Sequence, residues 1–233
     1  MKIGMVIPAY KEEQHIENVV KGVKNVPLIN VVYVVDDGSK DRTAELAAAS
    51  GAIVVKHETN LGVGAAIRDG FIRAKEDGME IIAVMGGDDQ DPPEQIPRVV
   101  QPIIDEGYDL VQGSRWLKGG EVVNIPVFRR ITTKAYAIFI RLFTGFPFTD
   151  GTNGFRALRA SILDNIDFKQ KWLEHYELEP YLLYQAVKQK MKVKEVPVTK
   201  RYFIEKGYTK MIPLRDWWRI SKPIIYLKFG IKK

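Results

Sequence analysis

The stretch Met85-Gly86-Gly87-Asp88-Asp89-Gln90-Asp91-Pro92-Pro93-Glu94 follows the apolar run Ile81-Ile82-Ala83-Val84. The run reads as a buried strand, so the carboxylates emerge where that strand ends. Two glycines bring the backbone close to whatever binds there, and two prolines fix the exit path. Two readings are open for such a turn. One is an acidic surface turn leading into a helix, with Pro93 and Glu94 near its start. The other is a set of hard oxygen ligands suited to Mg²⁺ or Mn²⁺, which usually holds a few carboxylates together with phosphates. A second acidic turn, Asp36-Asp37-Gly38-Ser39-Lys40-Asp41, also follows an apolar run, Val31-Val32-Tyr33-Val34-Val35, and this repetition favours the second reading.

Outward from these turns, strands and helices alternate. Gly4 to Ile7 reads as a strand ending at Pro8, and Glu12 to Val23 has helical spacing with Ile16, Val19, Val20 and Val23 on one side. Val31 to Val35 is a strand, and Asp41 is placed to cap the helix Arg42 to Ser50. Ala52 to Lys56, the helix Gly64 to Glu76 and the strand Ile81 to Met85 continue the series. The pattern predicts an α/β sandwich around a mainly parallel sheet, with ligands at the carboxyl ends of the strands, where Pro8, Asp37 and Asp88 fall. Beyond Asp109 we expect strands at Leu110 to Gly113 and Val193 to Lys200, a turn and strand over Asp150 to Arg159, and helices at Arg129 to Leu142 and Glu177 to Lys190.

Composition narrows the chemistry. At 233 residues, with 45% hydrophobic and 27% charged residues, the chain suits one large domain. It has no cysteine, which excludes disulfides, thiol nucleophiles and thiolate zinc sites. His15, His57 and His175 lack metal-ligand spacing and are expected to be structural or exposed. Gly62-Val63-Gly64 lacks the third glycine of a dinucleotide fingerprint, and no GxxxxGK[ST] loop occurs. A hydride-transfer enzyme and a nucleotide-hydrolysing motor are thereby disfavoured. The acidic turns would repel a phosphate unless a metal lay between them.

The net charge of +6 is uneven, with Lys and Arg dense from Lys188 to Lys233. This asymmetry points to an anionic partner on the C-terminal side. No apolar run approaches the ~20 residues of a membrane-spanning helix, and no signal peptide is visible at the N-terminus. The active site is expected to face the cytoplasm. Residues 211–233 mix aromatic, apolar and basic side chains, including Trp217 and Trp218. They read either as a helix packed on the core or as an interfacial helix on an anionic bilayer.

Six segments occur in order: Val6-Ile7-Pro8-Ala9-Tyr10-Lys11-Glu12-Glu13, Val35-Asp36-Asp37-Gly38-Ser39, Asn60-Leu61-Gly62, Gly87 to Glu94, Gly113-Ser114-Arg115 and Asn153-Gly154-Phe155-Arg156-Ala157-Leu158-Arg159. Together they resemble the family-2 glycosyltransferases of the GT-A fold, and within them the polyprenyl-phosphate hexosyltransferases typified by dolichyl-phosphate mannose synthase. The resemblance spans roughly residues 3–210. It implies a GT-A-type nucleotide-sugar-binding catalytic domain over 1–210, followed by the amphipathic segment 211–233. The implied reaction is inverting, metal-dependent transfer of a hexose from a nucleotide sugar (GDP-mannose or a UDP-hexose) to dolichyl or polyprenyl phosphate. The implied setting is peripheral, at the cytoplasmic face of a membrane or on a membrane-anchoring partner, with no nucleic acid involved. Two alternatives stay open: a transferase acting on a soluble or glycan acceptor, and a nucleotide-sugar-binding protein without turnover.

The resemblance also implies roles, position by position. Pro8, Tyr10 and Glu12 would line the nucleotide pocket, and Asp37 would accept a hydrogen bond from the base or simply hold its turn. Asp88 matches the last Asp of the family's DxD-type motif and, with Gln90, would serve Mg²⁺ or Mn²⁺. Gly86 stands where many relatives have the first Asp, which leaves open whether Asp89 or Asp91 compensates. Arg115, Arg129 and Thr133 match positions that contact the acceptor phosphate, for which an arginine fork is suited. Asp88, Arg115 and Arg129 are thus the catalytic candidates. Arg201, with Gly207, Thr209 and Lys210, resembles a late segment of the family in which the arginine contacts the pyrophosphate; the spacing from Arg201 to Gly207 is longer here. Arg68 is open between a nucleotide contact and a surface position.

Overall fold

The structure is a computed structural model that describes residues 1–203, 212 and 214–232. Its strands are β1 (Ile3–Ala9), β2 (Val31–Asp36), β3 (Ile53–Lys56), β4 (Ile81–Val84), β5 (Leu110–Ser114), β6 (Glu121–Val123), β7 (Arg156–Arg159), β8 (Val193–Pro197) and β9 (Thr199–Arg201). Its helices are α1 (Ile16–Lys24), α2 (Thr43–Ala49), α3 (Val63–Glu76), α4 (Ile96–Asp105), α5 (Val127–Thr144), α6 (Leu178–Lys188) and α7 (Arg215–Lys228). Seven strands form one sheet in the order β3-β2-β1-β4-β7-β5-β8, and β6 and β9 pair separately. Only β7 runs antiparallel in the large sheet, between β4 and β5. The expected α/β sandwich with a mainly parallel sheet is therefore what the chain forms.

The central strands are near-continuous apolar runs because helices cover both of their faces. Along β1 the pleat sends Met5 and Ile7 to one face and Val6 to the other. The first face packs against Ile16, Val19, Val20 and Val23 of α1 and Ile96, Val99, Val100 and Ile103 of α4. The second packs against Ala66, Ile67 and Phe71 of α3, Tyr136 and Ile140 of α5, and Ile220, Ile224 and Leu227 of α7. The strand order reverses between β1 and β4, the place where open α/β sheets bind ligands beyond the carboxyl ends of their strands. Both acidic turns leave the sheet on that edge.

Several expectations are corrected. Pro8 lies inside β1 rather than ending it. Helix α1 begins at Ile16, not Glu12, because the chain first turns through Lys11 at φ 56°. The N-cap of α2 is Arg42; Asp41 still serves the helix end, its Oδ1 accepting from the Thr43 amide at 3.1 Å. Pro93–Gln95 form a 3₁₀ turn ahead of α4. The expected strand Val193 to Lys200 breaks at Val198, and its second part, β9, leaves the main sheet to pair with β6. Helix α7 is a packed helix: Ile220, Ile224 and Leu227 are buried, and Ile220 O accepts from the Tyr136 hydroxyl at 2.6 Å. The division placed at 210/211, and Gly207, Thr209 and Lys210, lie outside the described residues.

Helix α3 presses close to the sheet at Gly70, where a Cβ would stand 2.4 Å from Val6 Cγ1. Overpacking of this kind costs about 1–3 kcal/mol, against which alanine's helix propensity returns up to about 1. Gly70→Ala is expected to lower stability by roughly 1–2 kcal/mol net, measured as a shift in the urea midpoint; an unchanged midpoint would mean that α3 can lift from the sheet without cost.

Candidate active site

Glu12 from the end of β1, Asp88 and Gln90 from the turn after β4, Arg115 from the end of β5, and Arg129 and Thr133 from α5 line one cavity of about 860 Å³. Lys11, His15, Phe128, Tyr176, Glu179, Lys200, Phe203 and Trp217 complete much of its wall. Six of the residues singled out in the sequence thus converge from distant segments. Pro8, Tyr10, Asp37 and Arg201 are not in that lining. Lys11 and Asp89, in the turns after β1 and β4, adopt left-handed φ values of 56° and 60°. Such strain on non-glycine residues concentrates where a site demands a fixed backbone.

Asp37 is closed rather than open. Its Oδ1 accepts from His57 Nδ1 and the Leu61 amide, both at 2.8 Å, and its Oδ2 from the Gly62 amide at 2.8 Å and Asn60 Nδ2 at 2.9 Å. The carboxylate pins the loop 57–62 beside the end of β2. His57 also donates Nε2 to Asp69 Oδ2 at 3.1 Å. Bonds to Asp37 first and Asp69 second push its pKa up to about 9. Arg68, paired to Asp69 at 2.9 Å, is likewise held by its own helix neighbour.

Arg115 departs furthest from expectation. It is 3% exposed, and its Nε and Nη2 donate to the two oxygens of Asp150 at 2.6 and 2.7 Å. Nη2 also donates to Thr152 Oγ1 at 2.7 Å and Nη1 to the Tyr202 hydroxyl at 2.5 Å. The planar fork is thus spent on a carboxylate of the protein itself. Burial alone would raise the Asp150 carboxyl; the Arg115 charge in contact outweighs it and holds Asp150 below the usual carboxylate range. Glu195 steadies the same corner by accepting from the Thr149 and Asp150 amides at 2.7 and 2.9 Å. Arg129 lies over the Tyr202 ring, 4.9 Å from its centroid. Burial is the main cause of its pKa lying below the ordinary arginine value. Thr133 Oγ1 donates to Arg129 O at 2.8 Å within α5, beside the cavity.

On the acidic turn, Asp88 and Gln90 face the cavity, whereas Asp89 and Asp91 do not. Asp91 is 1% exposed, with Oδ2 2.7 Å from Lys200 Nζ and Oδ1 buried without a partner. Burial opposes the Lys200 charge, yet Asp91 and Asp88 outweigh it and raise its pKa. Of the three aspartates of the turn, Asp88 is the one in the lining of the cavity. At Gly86 a Cβ would lie 2.9 Å from Asp88 Oδ1, so a side chain there would crowd the Asp88 carboxylate. Among the described residues no group of three His or acidic side chains could hold a metal by itself. Asp88 and Gln90 still fit Mg²⁺ or Mn²⁺, because such an ion takes one or two protein oxygens and completes its shell with phosphates and water. Arg201 is exposed, and its amide donates to Gln90 O at 2.9 Å, tying β9 to the turn. Sequence reasoning missed Lys200, Asp150 and Tyr202; a buried lysine in a strand of alternating pattern and an Asp opening a turn were the available signals.

A mainly parallel sheet with a topological switch, and a cavity lined by an oxygen-donor turn after β4 and by cations, make an α/β fold suited to a phosphate-bearing ligand. Residues 5–167 match Glycosyl transferase family 2, and the chain belongs to that family. It is 32% identical to a UDP-N-acetylglucosamine–dolichyl-phosphate N-acetylglucosaminyltransferase of Methanococcus voltae, covering 98% of this chain and 96% of that protein. It is 31% identical to an undecaprenyl-phosphate mannosyltransferase of Micrococcus luteus, covering 91% and 88%. The fold is shared with glucosyl-3-phosphoglycerate synthase of Mycobacterium tuberculosis, solved with Mn²⁺, UDP and glucosyl-3-phosphoglycerate: the TM-score is 0.72 at 21% identity, over 100% of this chain and 81% of that one.

Two outcomes follow from this geometry. Asp150→Ala leaves the Arg115 charge buried without its partner and is expected to cost about 3–5 kcal/mol in urea unfolding; a loss under 1 kcal/mol would mean that water reaches the corner. His57, raised above its ordinary 6.5, contributes stability fully below that pH and loses it as pH rises through about 9. The stability difference between wild type and His57→Gln should therefore shrink from pH 6.5 to 9, and a constant difference would show the ring neutral throughout.

Proposed function

We propose that this chain catalyses inverting transfer of a hexose from a nucleotide sugar, GDP-mannose or a UDP-hexose, to a polyprenyl or dolichyl phosphate, with Mg²⁺ or Mn²⁺ as cofactor. The observation that carries the reading is one cavity lined at once by the oxygen donors Asp88 and Gln90, the cation Arg129 and the apolar side chains Phe128 and Trp217. That combination suits a diphosphate donor at one side and a phosphate with an apolar tail at the other. The names of the relatives support the acceptor class, since dolichyl and undecaprenyl phosphate both occur in them. They differ in the sugar, so either donor is consistent with them.

On this reading Glu12 lines the base and ribose side of the cavity, Pro8 and Tyr10 flank it from outside that lining, and Asp37 keeps its wall in place. Asp88 and Gln90 would hold the metal, which when bound would offset charge on the departing diphosphate. Arg201, beside the turn, is proposed as a contact to that diphosphate. Arg129 and the Thr133 hydroxyl orient the acceptor phosphate, while Arg115 acts through Tyr202 to position Arg129. An acceptor phosphate is ionised near neutral pH and needs no strong general base. One of its oxygens attacks the anomeric carbon as the bond to the diphosphate breaks. The electron pair leaves with the diphosphate, and the anomeric centre inverts. The protein's share is alignment and electrostatic stabilisation of charge. The lipid-phosphate acceptors in the relatives' names support action at a membrane. Among the described residues no helix is long and apolar enough to cross one.

Incubation with radiolabelled nucleotide sugars, polyprenyl phosphate and Mn²⁺, followed by organic extraction, should carry label into the lipid phase. Asp88→Asn should reduce transfer about a hundredfold or more. Arg129→Ala should weaken use of the lipid phosphate roughly ten- to hundredfold while calorimetric donor affinity holds. Label passing only to water-soluble acceptors, or donor binding without transfer, would replace this reading with one of its two alternatives.

A further inference from the structure

Lys200 shares the cavity lining with Asp88, Gln90 and Arg129 but has no part in the transfer chemistry assigned to those three. It sits in the middle of β9 with its side chain 12% exposed. The strand is fixed on both sides of it. The Thr199 amide donates to Gln95 Oε1 at 2.5 Å, Thr199 O accepts from Gln95 Nε2 at 3.1 Å, and the Arg201 amide donates to Gln90 O at 2.9 Å. Between these anchors Lys200 Nζ donates to Asp91 Oδ2 at 2.7 Å. The ammonium is thus set against the acidic turn by its backbone and by its side chain.

An ammonium has three N–H donors, and the bond to Asp91 uses one of them. Donors left over at so low an exposure are costly unless an acceptor reaches them. The open space that Lys200 borders is the cavity, so the acceptor belongs to a ligand there. Charge identifies that ligand. Gly86 brings no carboxylate and Asp91 is taken by Lys200, so a divalent ion at this turn would meet Asp88 alone. Such a pair keeps one net positive charge, less than the negative charge of a nucleoside diphosphate. The remainder falls to fixed cations, and the anchors of Lys200 lie on the acidic turn and the 3₁₀ turn after it, away from the acceptor-side helix α5.

We propose that the Lys200 ammonium is a built-in cation for the diphosphate of the nucleotide donor, held in place by Asp91, so that the chain keeps affinity for a nucleoside diphosphate when no divalent ion is bound. The inference rests on the nucleotide-sugar reading of the cavity. During transfer the same ammonium takes up charge on the departing diphosphate and gives up no proton.

The test is calorimetric titration of the full chain with UDP and with GDP, first in excess EDTA and then with Mn²⁺. The wild type is expected to bind one of the two in EDTA, more weakly than with Mn²⁺. Lys200→Met should lose about tenfold to a hundredfold in that affinity under both conditions, because the ammonium acts on the ligand directly. Lys200→Arg, which keeps the charge, should recover most of the loss. Since Lys200→Met leaves Asp91 buried without its partner, the double variant Lys200→Met, Asp91→Asn is measured beside it; with both charges gone, urea unfolding should stay near wild type. A double variant as weak toward the diphosphate as Lys200→Met supports the inference. Wild-type affinity in the double variant would mean that Lys200 serves only Asp91, and a loss confined to Mn²⁺ that it acts through the ion's ligands; either result overturns the inference. So would a wild type that binds the diphosphate with Mn²⁺ and not at all in EDTA. Diphosphate binding that needs Lys200, without transfer to any acceptor, would sink the proposed function and leave the inference standing. Wild type that binds neither UDP nor GDP in either condition would sink both.

Discussion

The bond on which the site depends is the buried ion pair between Arg115 and Asp150. Two charges removed from water carry a desolvation penalty of several kcal/mol each unless they meet in good geometry. Here they meet in a two-point fork at 2.6 and 2.7 Å. That requirement fixes the end of β5 against the loop 149–152, and Glu195 of β8 fixes the loop from its other side. Arg115 then holds the Tyr202 hydroxyl, and the Tyr202 ring supports Arg129. A chain of contacts thus runs from the interior of the sheet to the cation that faces the cavity. The arginine on the strand end is thus used inside the protein, and the one on the helix lines the cavity.

Charge is distributed on the same logic around the acidic turn. Asp91 is neutralised by Lys200, which leaves Asp88 as the carboxylate of the turn that faces the cavity. Gly86 removes the crowding that a second acid would bring to Asp88. Toward the cavity the turn therefore presents Asp88, with Lys200 and Arg129 in the same lining. In a partly desolvated cavity such alternation keeps repulsion local and lets an anionic ligand find opposite charge.

Most of the first half of the fold was legible because its strands are Val- and Ile-rich runs separated by amphipathic helices. In those segments the apolar pattern and the burial pattern coincide. The acidic turns were legible for the same reason, since Asp37 and Asp88 follow strands that end abruptly. Their roles were less so. Nothing in the order of residues shows that His57, Asn60, Leu61 and Gly62 return to saturate Asp37, or that Asp150 waits for Arg115. Both are long-range hydrogen bonds, with 20 to 35 residues between partners, and composition carries no trace of them. Helix α5 was legible as a helix, but periodicity gives two apolar sectors there and does not say which one the core covers. At α7 the tryptophans and basic residues left a packed helix and an interfacial helix both open, and only the fold shows that Ile220, Ile224 and Leu227 are packed inside.

The short ribbon β6–β9 has a consequence for how the molecule comes into being. The turn at 88–91 is held from Lys200 and from the Arg201 amide, more than 100 residues downstream. During synthesis, the first four strands can pair soon after they leave the ribosome, because their connections are local. The turn at the end of β4 meets its latch only once β9 has emerged. Loop closure over such a separation is slow relative to the local pairings. The nascent chain should thus pass through a state with an ordered N-terminal sheet and an acidic turn not yet held in place. A fragment limited to the family-matched segment 5–167 would carry the binding turns yet lack the strand that sets one of them.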